Sequence, residues 1–233
     1  MWGVLNIRTN IYIDGFNLYY GILKDTPYKW LDLDRLFRAL LPNNDIRRIR
    51  YFTARVDPRP HDLGVSVRQM AYLRALATLP SVEVEFGTFL SSAIRAPVLE
   101  CDAQGLPTRT RVGRKLSVKK RANGRVVMEW VHKSEEKGSD VNLASFLLRD
   151  AFMGDCECAV VVSNDSDLLA PIRIAKMDCR IVVGLITPRA SGSAELRQLA
   201  NFQKQLRPHH LAAAQFPLNL TDKHGTIHKP RNW

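Results

Sequence analysis

The sequence is short of cysteine, of long apolar runs and of acidic residues, and each shortage narrows what the chain can be. Four cysteines in 233 residues (Cys101, Cys156, Cys158 and Cys179) are irregularly spaced. They do not make a disulfide scaffold, and they fit a reducing, cytoplasmic setting. The one-residue gap between Cys156 and Cys158 is not that of a zinc pair, so both read as core or surface thiols. No run of about 18 apolar residues occurs, so no membrane-spanning helix is expected. Met1 to Asn10 is too short and too polar for a secretory signal. There is no GxGxxG, and no GxxxxGK followed by Ser or Thr, so a nucleotide cofactor has no fingerprint in the sequence. The histidines lack ligand spacing, and His209-His210 after Pro208 reads as a helix-end cap. Asp and Glu number 23 against 34 Lys and Arg, a net charge of +11. That excess points to an anionic partner, nucleic acid ahead of an anionic membrane.

What is present is the rhythm of an α/β domain. The length suits one domain with an insertion, large enough to bury a core unaided. Ile11-Tyr12-Ile13 reads as a buried strand ending at Asp14-Gly15, and Phe16 to Leu23 carries helical spacing. A helix is expected around Leu31 to Leu41, stopped before Pro42. Strands are expected at Ile46 to Val56, Val82 to Phe89, Cys158 to Ser163 and Arg180 to Ile186. Helices are expected at Val67 to Leu79, Val141 to Phe152, Ser166 to Met177 and Leu196 to Leu206. Continuous Val and Ile runs between helices predict a three-layer, Rossmann-like, mainly parallel sheet. One domain is expected over 8–215, with a basic, β-rich insertion at about 91–134 and a polar tail from 216 to 233.

Acidic residues fall where such a sheet gathers its site, at the carboxyl ends of strands. Asp14 follows the first strand. Asp165 and Asp167 follow Val160-Val161-Val162. Asp140 opens a helix after Glu136 and Lys137. Each alone could be a helix cap. Together they would repel one another unless a cation lay between them, and hard oxygen ligands select Mg²⁺ or Mn²⁺. Asn17 follows Asp14 by one helical turn, and Ser163, Asn164 and Lys137 are placed to position a phosphate.

Three segments carry a resemblance: Ile13-Asp14-Gly15-Phe16-Asn17-Leu18, Glu136-Lys137-Gly138-Ser139-Asp140-Val141, and Val162-Ser163-Asn164-Asp165-Ser166-Asp167-Leu168. In that order, from about residue 8 to residue 190, they resemble the motifs of the NYN domain, a member of the PIN-like nuclease superfamily. The resemblance implies a PIN-like fold and a metal-dependent ribonuclease. Asp14, Asp140, Asp165 and Asp167 would hold the metal, with Asn17 as their polar companion. Metal-activated water would then cleave RNA, a hydrolysis read as endonucleolytic. Asn164 stands where many relatives have Gly.

The charge excess is local. Between Arg109 and Lys133 stand nine Lys and Arg and one acid, Glu129. Arg109, Arg111, Arg114, Lys115, Lys119, Lys120, Arg121 and Arg125 interleave with Val112, Leu116, Val118, Val126, Val127 and Trp130. That pattern suits a basic β-ribbon tracking the phosphates of single-stranded RNA beside the cleft. The plain alternative is a solvated loop. The aromatics Phe16, Tyr19, Tyr20, Tyr28 and Trp30 read mainly as core, with Tyr19 or Tyr20 free to stack a base. Arg189 to Ser193 reads as a surface turn able to contact phosphate. Two other functions stay open: an RNA-binding or scaffold module without catalysis, and a phosphohydrolase of haloacid dehalogenase type. Phe16 counts against the second, which needs an Asp there. Oligomeric state stays open, with a homodimer among the options.

Overall fold

Strand β1 (Ile7–Asp14) is buried over its last six residues because it lies in the middle of a six-stranded sheet. A computed structural model describes residues 6–58, 62–110, 112, 115–189, 193–231 and 233. The chain divides into two units, one made of Met1–Thr88 and Glu136–Trp233, the other of Phe89–Glu135. After β1 come α1 (Gly15–Leu18), α2 (Leu33–Leu40), β2 (Asn44–Thr53), α3 (Val65–Leu76) and β3 (Val82–Phe86). Strands β4 (Thr88–Pro97) and β5 (Met128–Lys137) follow, then α4 (Ser139–Phe152), β6 (Cys158–Val162) and α5 (Leu169–Met177). The chain ends with β7 (Val182–Thr187), α6 (Ala194–Leu199), β8 (Phe202–Gln205), α7 (Pro208–Ala213) and a hairpin of β9 (Asn219–Asp222) and β10 (Gly225–His228).

The sheet order is β3-β2-β1-β6-β7-β8, and every neighbouring pair is parallel. The chain therefore winds outward from β1 in one direction, then outward from β6 in the other. That is the strand order of a doubly wound, Rossmann-like sheet, and its topological switch point lies between β1 and β6.

Side-chain alternation along the strands splits the core in two, because successive residues of a strand face opposite sides. Ile11, Ile13, Ile49, Val160, Val162 and Ile186 face one layer, built on α2, α3 and α7. Tyr12, Phe52, Val161, Val183 and Leu185 face the other, with Leu143 and Leu147 of α4, Ile172 of α5 and Leu196 of α6. The expected helix over Leu196 to Leu206 is in fact α6 followed by β8. Its Phe202-Gln203-Lys204-Gln205 is a polar edge strand without the Val/Ile run that marked its neighbours. Phe202 packs directly over Gly184, where a Cβ would fall 2.2 Å from its ring.

Residues 216–233 include the β9–β10 hairpin. Phe216 and Ile227 are buried, and the Trp30 ring meets those of Phe216 and Trp233. Arg74 of α3 holds Asp222 through two hydrogen bonds of 3.0 and 2.7 Å. In the second unit β4 pairs with β5, and short bridges join Leu99 to Val118, Cys101 to Pro107, Arg109 to Leu116 and Lys120 to Val126. Gly105 and Gly124 take positive φ at turns of this β-rich segment. Arg111 and Arg114 lie outside the described residues, and Trp130 is exposed.

One buried polar cluster ties α4 to the sheet. Asp150 of α4 accepts hydrogen bonds from Tyr12 Oη (2.9 Å), Asn10 Nδ2 (3.3 Å) and Arg50 Nε (3.4 Å). Arg50, itself buried, also pairs with Glu83 (2.7 Å) and Glu85 (3.1 Å) of β3. Losing Asp150 leaves the buried Tyr12 and Asn10 donors without their acceptor and leaves Arg50 only the partly exposed Glu83 and Glu85. Asp150→Ala is therefore expected to cost ~3–5 kcal/mol, read from the midpoint of urea unfolding at neutral pH.

Candidate active site

The switch point is a crevice of carboxylates, each held by local backbone geometry. Asp14 ends β1 and caps α1: its Oδ1 accepts from Asn17 N–H at 2.8 Å. Its Oδ2 accepts from the Ser163 hydroxyl at 3.1 Å. Ser163 Oγ in turn accepts from Asp165 N–H at 3.0 Å. Asp165 then caps the following short turn by accepting from Asp167 N–H at 3.0 Å. Asn17 Oδ1 accepts from Asn164 N–H at 3.1 Å, which ties the end of β1 to the end of β6. Asn164 completes the wiring. Its amide accepts from Arg189 N–H (3.0 Å) and donates to Arg189 C=O (3.2 Å). Asp140 enters from the first turn of α4, preceded by Gly138 at φ 95°. Glu136 accepts from Ser139 N–H at 3.0 Å.

These charges feel one another. Burial raises the pKa of Asp14, although Asn17 N–H and Ser163 pull it down; Asp165 and Glu136 push it up further. Asp140 is raised from 3.8 to about 6, first by burial and then by Asp14, Asp165, Glu136 and Asp167. A carboxyl with that pKa can accept or release a proton near neutrality, which an ordinary aspartate cannot.

Beside the Asp14–Gly15 step lies a cavity of about 310 Å³. Phe16, Tyr19, Tyr20, Tyr51, Tyr72 and Trp233 line it, together with Lys24, Lys29 and Arg68. Arg68 is paired with Asp62. Gly15 is required there, since a Cβ would come within 2.7 Å of Phe52 C=O and of the Tyr51 ring. Of the aromatic series expected as core, Trp30 is fully buried, whereas Tyr20 is 41% exposed.

No family model matches the chain. The chain is 31% identical, over 97% of its own length and 75% of the relative's, to 6-hydroxy-3-succinoylpyridine 3-monooxygenase HspA of Pseudomonas putida (strain DSM 28022 / S16). The chain belongs to that protein's family. A solved structure of a protein of unknown function from Vibrio parahaemolyticus RIMD 2210633 matches 93% of this chain and all of its own, with a TM-score of 0.53 and 15% identity. That likeness shows the fold alone.

Membership of a monooxygenase family corrects the expected activity. The ribonuclease reading, with its nuclease and hydrolase chemistry, is overturned by the relative's oxygenase activity. The RNA-module and phosphohydrolase alternatives fall with it. The expected Mg²⁺ or Mn²⁺ at Asp14, Asp140, Asp165 and Asp167 is corrected too. Among the described residues no group of three or more His, Cys, Asp or Glu could hold a metal ion. The physical reason is where the lone pairs point. Both Asp14 oxygens, one Asp165 oxygen and one Glu136 oxygen are turned to protein donors. Nearness of charge is not convergence of ligands.

Ser163 and Asn164, read as phosphate-positioning, are engaged in wiring the crevice, and Lys137 closes β5. Arg109, Lys115, Lys119, Lys120, Arg121 and Arg125 belong to the second unit. The turn after Arg189 lies at 190–192, outside the described residues. His210 Nδ1 accepts from Arg207 N–H at 3.2 Å, a cap at the start of α7. Cys156 and Cys158 are buried thiols raised to about 11 by burial. Among the described residues no helix is long and apolar enough to cross a membrane. Sequence reading missed Glu136 as a member of the crevice, and it missed the cavity. The acid was visible in the Glu136-Lys137 run. The cavity draws on four separate stretches of chain and had no local signal.

Oxygenases use cofactors for the redox step, and in this fold a dinucleotide lays its pyrophosphate on the helix after β1. The residues here do not fit that group. Helix α1 runs on as a wider helical turn over Tyr19–Leu23, but its Asn17 N–H is taken by the Asp14 carboxylate, and Asp140, Asp165 and Glu136 lie close enough to Asp14 for their charges to act on one another. A pyrophosphate placed there would meet the like charges of Asp14, Asp140 and Asp165.

The raised Asp140 pKa has a thermodynamic consequence. A carboxyl whose pKa is higher folded than unfolded carries no penalty below 3.8, a growing one up to about 6, and the full one above. Asp140→Asn is therefore expected to melt a few degrees above the wild type at pH 7.5, with the gain gone near pH 4. Thermal melts of both proteins across that range check this.

Proposed function

We propose that the chain is a monooxygenase acting on a small hydroxylated N-heteroaromatic acid, with the ring in the aromatic cavity and its proton taken by the carboxylate crevice. The observation that carries this reading is the 31% identity to a 6-hydroxy-3-succinoylpyridine 3-monooxygenase over nearly the whole chain. Substrate chemistry then explains the site. In a 6-hydroxypyridine, ring carbon 3 lies para to the hydroxyl. Removing the hydroxyl proton sends electron density to that carbon, where an electrophilic oxygen adds. A base that works near neutrality is therefore the group the protein must supply, and Asp140, raised to about 6, is suited to it.

The cavity adds recognition. At about 310 Å³ it is the size of a single ring with a short side chain. Its aromatic walls favour stacking. Lys24 and Lys29 supply positive charge for an acidic side chain. Tyr51, whose hydroxyl is held protonated by burial and by Asp14, is a donor facing Gly15. Oxygen entry at a carbon that carries a side chain expels that chain: with dioxygen, a carboxyl leaves as CO₂ at the cost of one two-electron reductant, an acyl group leaves as the aldehyde at the cost of two, and in both the second oxygen atom leaves as water. The NYN-like motifs then describe a PIN-like scaffold whose acidic positions serve proton transfer.

The test is product analysis under ¹⁸O₂ with 6-hydroxy-3-succinoylpyridine and 6-hydroxynicotinate, NADH and free flavin as reductants, and the Pseudomonas relative run in parallel. One ¹⁸O atom per product is expected. Asp140→Asn should lower kcat by about 10²-fold or more, the usual contribution of a positioned base. Oxygen drawn from water, or no turnover where the relative turns over, would overturn the reading.

A further inference from the structure

The same carboxyl edge of the sheet carries a second site of opposite charge, far along the strand order from the crevice. At the end of β8 a groove of about 630 Å³ is lined by Arg35, Lys204, Arg207, His209 and His210, over an apolar floor that includes Leu36 and Leu40. Among the described residues no carboxylate lines it.

The gathering of these three cations and two imidazoles is built rather than incidental. Lys204 Nζ donates to the Leu40 carbonyl, which fixes the ammonium between β8 and the end of α2. Arg207 N–H donates to His210 Nδ1, which fixes that ring, and the His209 and His210 rings lie 4.0 Å apart. Among the described residues, none of the five has a carboxylate partner. The acids nearest in sequence to Arg35 are otherwise engaged: Asp34 holds Arg38 and Ser81, and Asp32 caps α2 through Arg35 N–H. The mutual field is felt by His210, whose pKa is lowered by burial and then by His209, Arg207 and Lys204. Like charges held together without a counter-charge raise the energy of the fold. An anion in the groove would remove that cost, and guanidinium and ammonium groups are the usual partners of phosphate.

We propose that this groove binds a phosphate-bearing small molecule, its phosphates on Arg35, Lys204 and Arg207 and its apolar part against Leu36 and Leu40. The volume admits a nucleoside diphosphate. The position suits the fold, since ligands of open α/β sheets bind outside the carboxyl ends of strands. It also complements the crevice. Phosphates turned away by Asp14, Asp140 and Asp165 find cations at the other end of the same edge. The inference stands apart from the oxygenase reading, because it concerns binding alone.

The test is calorimetric titration of the full chain with ADP, inorganic pyrophosphate and adenosine at low ionic strength. ADP and pyrophosphate are expected to bind and to compete, and adenosine to bind far more weakly. Arg35→Gln with Arg207→Gln removes two exposed guanidinium groups and keeps the backbone cap, so the melting temperature should not move. ADP affinity should fall about tenfold or more in that double variant. Absence of ADP binding at millimolar concentration would overturn the proposal. So would equal affinity for adenosine, or affinity unchanged in the double variant.

Discussion

The structure depends on where one carboxylate is put. Asp14 ends the central strand of a parallel sheet, at the point where the winding reverses, and it is 6% exposed. A buried carboxylate must have its lone pairs met, and here Asn17 N–H and the Ser163 hydroxyl meet them. The first bond closes the turn after β1, and the second draws that turn to the one after β6. Through Ser163 they set Asp165, and through Asn17 they set Asn164 and so the chain at Arg189. Asp140 arrives on α4, whose far end is pinned to β1 and β2 by Asp150. The crevice is a by-product of satisfying Asp14, and its charges add to the burial that raises the pKa of Asp140.

Much of this was legible in the sequence. The Ile11-Tyr12-Ile13 and Val160-Val161-Val162 runs gave the central strands, and the acids after them gave the crevice, because topology brings the carboxyl ends of parallel strands to one edge. Strand β8 was not legible, since an edge strand needs no apolar run and Phe202 alone carries its packing against Gly184. The aromatic cavity was not legible either, because Tyr51, Tyr72 and Trp233 come from different elements. The metal inference failed for a specific reason. Sequence shows that charges converge, but not whether their lone pairs face a shared point or the backbone. Motifs that look nucleolytic can therefore sit in a family with an oxygenase member, since fold and acidic positions do not fix the reaction.

Charge is distributed along this edge with a purpose the net value of +11 conceals. Carboxylates occupy the switch point and cations the end of β8. In the second unit basic residues stand on a β-rich segment. The aromatic cavity begins at Gly15, the residue after Asp14.

The claim beneath all of this is that burial, with the neighbouring carboxylates, holds Asp140 ready to take a proton near neutrality. Carboxyl ¹³C NMR titration of the labelled protein measures it directly. Asp140 is expected to titrate at about 6, and to move down toward 3.8 in Asp14→Asn, where burial remains but one negative charge is gone. An Asp140 that titrates near 3.8 in the wild type, or that ignores the loss of Asp14, would contradict the account.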